Sequence, residues 1–145
     1  MPLEPVEAGG GKDSMDSLKL STRTLSHRVE LDDTATAYGS GGVDVLATPA
    51  LVALMEQVAR DTVQNSLPDG HTTVGALVNI RHLAPTAVGR EVRVSATVTG
   101  IEGRRISFHV EAHDDAGMVG EGIHERVIVD ASRFAHLVAT RYDAS

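Results

Sequence analysis

The chain has 145 residues, 41% hydrophobic and 23% charged, values of a single globular domain long enough to bury a core. Its formal net charge of −7 argues against a general nucleic-acid or anionic-membrane binder, because tracking phosphates needs a clustered basic face, although a few arginines suffice for one small anionic ligand. With no cysteine there are no disulfides, thiolate nucleophiles or cysteine-based metal sites, and no run nears the roughly 20 apolar residues of a membrane span.

Residues 1 to about 19, which begin "MPLEPVEAGGGKDSMDS", are rich in Gly, Pro and acids and lack periodicity. They read as a flexible leader without a signal core, with Met15 as an alternative start, ahead of one domain over 20–145. The whole reads as soluble and cytoplasmic. In "TRTLSHRVEL", Leu25, His27, Val29 and Leu31 alternate with Ser26, Arg28 and Glu30, the period of a half-buried strand. "DDTATAYGSGGVDVLA" follows as a loop marked by Gly39, Gly41 and Gly42.

A helix is expected next, with Thr48 as N-cap and Pro49 at the first helical position, running to about Asn65 and stopped by "LPDG" at 67–70. From Pro49 to Met55 every residue is apolar, so the helix reads as buried. Glu56 then follows, and a carboxylate beside such a run is costly unless something pairs with it or uses it.

Four strands come after the helix. Residues 72–84 put Val74, Ala76, Val78, Ile80, His82 and Ala84 on one face, and 91–100 alternate Val92, Val94, Ala96 and Val98 with polar neighbours. Residues 104–113 put Ile106, Phe108, Val110 and Ala112 inward and His109, Glu111 and His113 outward, and 121–130 close the set before a short terminal helix in "ASRFAHLVATRY". The turn-like connectors suit antiparallel neighbours and predict a meander. The fold class is therefore α+β, a five-stranded antiparallel sheet wrapped around a long central helix. Such a sheet leaves edges and one face open, which predicts a dimer and allows a back-to-back tetramer.

Thr48, Glu56 and His82 break the apolar pattern or hold a special backbone position. Each has an ordinary reading: Thr48 caps, Glu56 pairs with Arg60 on the helix surface, and His82 is a hydrogen-bonded core residue. Together they suggest chemistry. A histidine beside a carboxylate is a general-base couple, and the first amides of the helix can polarise a carbonyl. Eight positions separate Thr48 from Glu56, about 12 Å at roughly 1.5 Å per residue, so one helix cannot bring both to one carbon. Antiparallel helices of two subunits would.

Other chemistry finds little support. His109 and His113 share an outward face without a third ligand, so no metal is expected. "GSGG" lacks the Lys-Ser/Thr of a phosphate loop, and there is no G-x-S-x-G elbow.

From about residue 22 to 135 the sequence resembles the hot-dog thioesterases of the fluoroacetyl-CoA thioesterase type. The resemblance is carried by "ATPALVALMEQVA", "VGALVNIRHLAPTAVG", "VTGIEGRRISFHVEAHD" and "GEGIHERVIV". It implies hydrolysis of an acyl-CoA, with coenzyme A as part of the substrate and no other cofactor, at two sites between the subunits of a homodimer. It implies a catalytic set at Thr48, Glu56 and His82, with Gly75 near the acyl or pantetheine channel and Arg126 at a further family position. Arg90, Arg93, Arg104 and Arg105 are candidates for the coenzyme A phosphates, or else a solvated face. The fluoroacetyl-specific enzyme carries phenylalanines in the loop before the helix, and the matching positions here are Gly39 and Gly42, with Tyr38 the nearest aromatic and a candidate substrate contact. Fluoroacetyl selectivity is therefore not expected; a general small- or medium-acyl thioesterase is. A non-catalytic acyl-CoA binder stands as an alternative, as does a hot-dog hydratase, although its D-x-N-P-x-H kind of motif is not visible.

Overall fold

A computed structural model describes residues 18–143. Five antiparallel strands form one sheet: β1 (Thr22–Arg28), β2 (His71–His82), β3 (Glu91–Glu102), β4 (Arg105–Asp114) and β5 (Gly117–Asp130), in the order β1-β3-β4-β5-β2. A four-residue helix α1 (Ala35–Tyr38) and the long helix α2 (Thr48–Val63) precede β2, and α3 (Ala131–Arg141) follows β5. Of the leader expected over residues 1 to 19, residues 1–17 lie outside those described, whereas Leu18, also assigned to it, is buried in the core.

Alternation in β3 and β4 does what period-two side-chain placement demands. Val92, Val94, Ala96 and Val98, with Ile106, Phe108, Val110 and Ala112, are all fully buried. They meet Leu51, Met55, Val58, Ala59 and Val63 of α2 in one core. At about 1.5–3 kcal/mol for each large apolar side chain removed from water, this layer dominates the stability of the domain. The other side of α2 is open: Ala53 is exposed and Val52 and Leu54 are only half-buried. The helix is thus not enclosed all round within one chain, contrary to the expectation from its apolar run.

The sequence-based meander needs one correction. β3, β4 and β5 do form it, but β2 pairs with β5, not with β3. The connector 83–90 crosses the end of the sheet instead, with Leu83 and Ala84 bonded to Val119 and the Leu46 amide bonded to the Thr86 carbonyl. Its length never separated the two topologies. Eight residues reach about 26 Å when extended, and three inter-strand steps need only about 14 Å.

Two faces were also misassigned. Leu31 is not a strand residue; it lies in a 3-10 turn over Leu31–Asp33 and is exposed. In β2 a register shift between Gly75 and Leu77 reverses the phase. Thr73 is buried and Gly75 faces α2 before it, while Ile80 and His82 face inward after it, so Val74 and Ala76 do not share their face. β2 is an edge strand that leaves Leu77 and Val78 exposed.

Candidate functional site

Thr48 opens α2 beside the inward end of β2. Thr34–Leu46 and Val45–Ala87 bridges, with the Ala47 amide on the Asp33 carbonyl, pin the chain just before the helix. The N-cap is Ala47 rather than Thr48, no side chain caps the first amides, and Pro49 sits within the first turn. The Thr48 hydroxyl is used elsewhere: Oγ1 lies 2.8 Å from His82 Nδ1. His82 Nε2 is buried and has no hydrogen-bond partner among the described residues. Burial lowers the pKa of His82, with the Ala84 backbone opposing, so its ring favours the neutral form. Both residues line an open groove of about 260 Å³ with Ala35, Ser40, Val45 and Pro85.

Glu56 stands two turns along the same helix, and its partner is Arg126 of β5. Arg126 NH1 lies 3.6 Å from Glu56 Oε2, an ion pair longer than a hydrogen bond. The guanidinium itself is buried, donating from Nε to Thr73 Oγ1 at 2.7 Å and from NH2 to the Thr73 carbonyl at 3.0 Å. Its third partner is His124 Nε2, 3.1 Å from NH1. Gly75 completes the group by leaving room: a Cβ there would lie 2.6 Å from Glu56 Oε2.

The expected Glu56–His82 couple is therefore not formed within one chain; the structure joins His82 to Thr48 and Glu56 to Arg126. Nor does Glu56 pair with Arg60, which is engaged by Asp61 at 3.2 Å. The capping role expected of Thr48 is likewise replaced by its bond to His82. Tyr38 ends α1 and is not among the residues lining the groove. Gly39, next to it, has φ 71, a left-handed conformation in which a phenylalanine would be strained. Arg105 pairs with Glu125 at 3.9 Å, and Arg104 lines a hollow under α3 with Phe134 and Leu137. Both lie toward the Asp130 end of β5, whereas His82 is opposite Gly120. Arg93 reaches the Asp114 carbonyl and Asp115. His109 and His113 flank Glu111 on the outer face, and no group of three or more His, Asp or Glu among the described residues is placed to hold a metal ion.

Sequence reasoning missed Thr73 and His124. The signal for His124 was present, since it shares strand parity with Arg126 and the buried Ile128. Two polar side chains on the inward face of a central strand ask for a reason.

Comparisons with known proteins agree with this fold. Residues 29–132 match the model of the family described as fluoroacetyl-CoA-specific thioesterase. A fluoroacetyl-CoA thioesterase of Streptantibioticus cattleyicolor is 35% identical over 91 residues, 63% of this chain and 66% of that protein, just under two thirds of its length. The solved structure of the fluoroacetyl-CoA thioesterase FlK superposes with a TM-score of 0.80 at 29% identity, covering 84% of this chain and 95% of that one. A hot-dog-like protein from Thermanaerovibrio acidaminovorans gives a TM-score of 0.82 at 28% identity, over 88% and 96% of the two chains.

Proposed function

The chain belongs to the fluoroacetyl-CoA-specific thioesterase family, and from that premise we propose that it hydrolyses a small or medium acyl-CoA to the free acid and coenzyme A. The observation that carries the reading is the Thr48–His82 bond at the uncapped start of α2, with Glu56 tethered farther along the same helix. An acid, a base and a carbonyl-polarising helix end are what thioester hydrolysis needs.

In this reading the thioester carbonyl points at the first-turn amides of α2 and Thr48 orients it. Water attacks the carbonyl carbon while Glu56 takes its proton, the C–S bond breaks, and that proton passes from Glu56 through His82 Nε2 to the departing thiolate. In the second route Glu56 attacks directly, the C–S bond breaks as the anhydride forms, and the water that then hydrolyses the anhydride gives its proton through His82 Nε2 to the thiolate. A covalent adduct trapped on Glu56 would select the second route. Because Thr48 and Glu56 stand about 12 Å apart on one helix, each site takes Thr48 and His82 from one subunit and Glu56 from the other. The open side of α2 and the exposed edge strand β2 support a homodimer. Antiparallel pairing along β2 would also carry Arg104 and Arg105 toward Thr48 of the partner subunit, where coenzyme A phosphates need cations. Such a substrate fits a reaction in the cytoplasm. Among the described residues no helix is long and apolar enough to cross a membrane.

The test is free-thiol release from a panel of short, branched and aromatic acyl-CoAs, with Glu56→Ala and His82→Ala beside the wild type. Turnover of some substrate that both folded variants abolish is the expected result. Tight acyl-CoA binding without thiol release would overturn the enzyme in favour of a binding protein, and water addition to an enoyl-CoA in favour of a hydratase.

A further inference from the structure

We infer that His124 is a positioning residue for this reaction: with its ring proton on Nδ1, it links β2 at its bulge to Arg126 and aims that guanidinium at Glu56. The inference rests on the thioesterase reading and adds a residue that acts through another.

The hydrogen bonds leave one protonation pattern. A guanidinium only donates, so His124 Nε2, 3.1 Å from Arg126 NH1, must accept. The ring proton then lies on Nδ1, which donates to the Leu77 carbonyl at 2.8 Å. Leu77 is the first paired residue after the register shift in β2. One imidazole therefore spans the irregularity of the edge strand and the arginine of its neighbour. The ring is 1% exposed and stacks on Phe108, with centroids 6.0 Å apart and planes at 27°, so it has little freedom to turn.

Four of the five N–H donors of Arg126 can be assigned in the same way. Nε and one NH2 proton go to Thr73, and one NH1 proton to His124. The second NH1 proton is left for Glu56 Oε2 at 3.6 Å. Remove the acceptor at His124 and NH1 loses the anchor that, with the fork on Thr73, fixes its direction; Glu56, with 42% of its side chain exposed, is then held less firmly. A protonated His124 would set an N–H against NH1 with the same result. The charged groups around it are Arg126 and Glu125 of β5 and Glu56 of α2. Burial chiefly favours its neutral form, and Arg126 adds to that, while the Leu77 bond and the two carboxylates oppose.

Two variants of the full chain test the inference. His124→Phe keeps a ring against Phe108 but offers no acceptor, and His124→Gln supplies an acceptor and a donor without titrating. Thiol release is followed with acetyl-CoA and with the best substrate of the panel. His124→Phe is expected to lower kcat about 10- to 100-fold, with KM within about twofold of wild type. His124→Gln is expected to recover most of kcat and to flatten the acid limb of the kcat–pH profile. Ring 15N shifts of the wild type, independent of turnover, are expected to show the proton on Nδ1. The inference is overturned by an unchanged kcat and pH profile in a folded His124→Phe, by a loss confined to KM, by a His124→Gln no better than the phenylalanine variant, or by a proton on Nε2. Should His124→Phe not fold, the pH profile of His124→Gln and the 15N shifts decide. A wild type inactive on every thioester would instead sink the thioesterase reading, while the 15N shifts still judge the tautomer.

Discussion

Thr48 and His82, 34 positions apart in sequence, share a 2.8 Å hydrogen bond, while Glu56 on the same helix as Thr48 is tied to Arg126. One chain thus carries two separate polar pairs along one helix: a hydroxyl–imidazole pair at its start, and, about two turns on, a carboxylate beside a buried cation. Neither pair joins Glu56 to His82.

Mixing two inactive variants exposes this division. Glu56→Ala supplies an intact Thr48–His82 half, and His82→Ala supplies an intact Glu56. If sites form between subunits, half of the randomly reassembled dimers carry one working site of two, and about a quarter of wild-type activity returns. Mixed, co-refolded chains assayed for thiol release against each variant alone provide the measurement. No recovery, with mixed dimers confirmed by tagged capture, would mean that the site is built within one chain.

Gly75→Ala puts a methyl group 2.6 Å from Glu56 Oε2. Because that oxygen is the end of a flexible, half-exposed side chain, Glu56 moves aside and stability changes by less than about 1 kcal/mol. Activity suffers more, with kcat down by about 10- to 100-fold. Urea melts beside steady-state kinetics separate the two; equal losses of folding and turnover would contradict the steric account.

Arg126→Met fills the volume of the side chain but leaves the Thr73 hydroxyl and carbonyl, and His124 Nε2, without their donor. Buried polar groups stripped of partners cost about 1–3 kcal/mol each, so the expected destabilisation from the three is about 3 kcal/mol or more, with activity lost as Glu56 is released. Equilibrium urea denaturation checks the first and thiol release the second. Arg126→Lys restores little of either, because an ammonium cannot reproduce the planar fork on Thr73.

Stability should fall on mild acidification. Burial is the leading cause of the lowered pKa at both His82 and His124, so the folded rings favour the neutral form. In the unfolded chain they titrate near the ordinary histidine value of 6.5. Below that pH the unfolded state binds more protons than the folded one, and the stability present near neutrality is lost as pH falls through 6.5 toward the folded values. Urea melts between about pH 7.5 and about pH 5.5 give the slope. His124→Gln should make it shallower, and a slope unchanged by that substitution would refute the assignment to His124.

Much of the architecture was legible because it rests on short-range periodicity. The strict alternation of β3 and β4 names the inward residues without reference to any partner, and all eight are fully buried. The long apolar helix and its start near Thr48 were visible for the same reason. The pairing of β2 with β5 was not, because an eight-residue connector spans either one strand or three. Nor was the bulge after Gly75, since a one-residue slip leaves the composition of a strand unchanged while reversing its faces.

By itself the sequence determined the five strands and the long helix, the inward faces of β3 and β4 and the three polar residues that fall out of pattern. These are local properties, written in spacing and in side-chain type. Which polar groups meet was decided only by tertiary structure. Thr48 reaches His82 because the connector 83–90 is drawn across the sheet beside the start of α2, and Glu56 finds Arg126 because Gly75, paired with Arg126 just before the bulge, faces the helix and leaves room for the carboxylate. Contacts between distant segments depend on strand order and register, to which hydrophobic period is blind. The Thr73–Arg126–His124 cluster depends on both: buried donors and acceptors must be satisfied wherever the backbone happens to bring them.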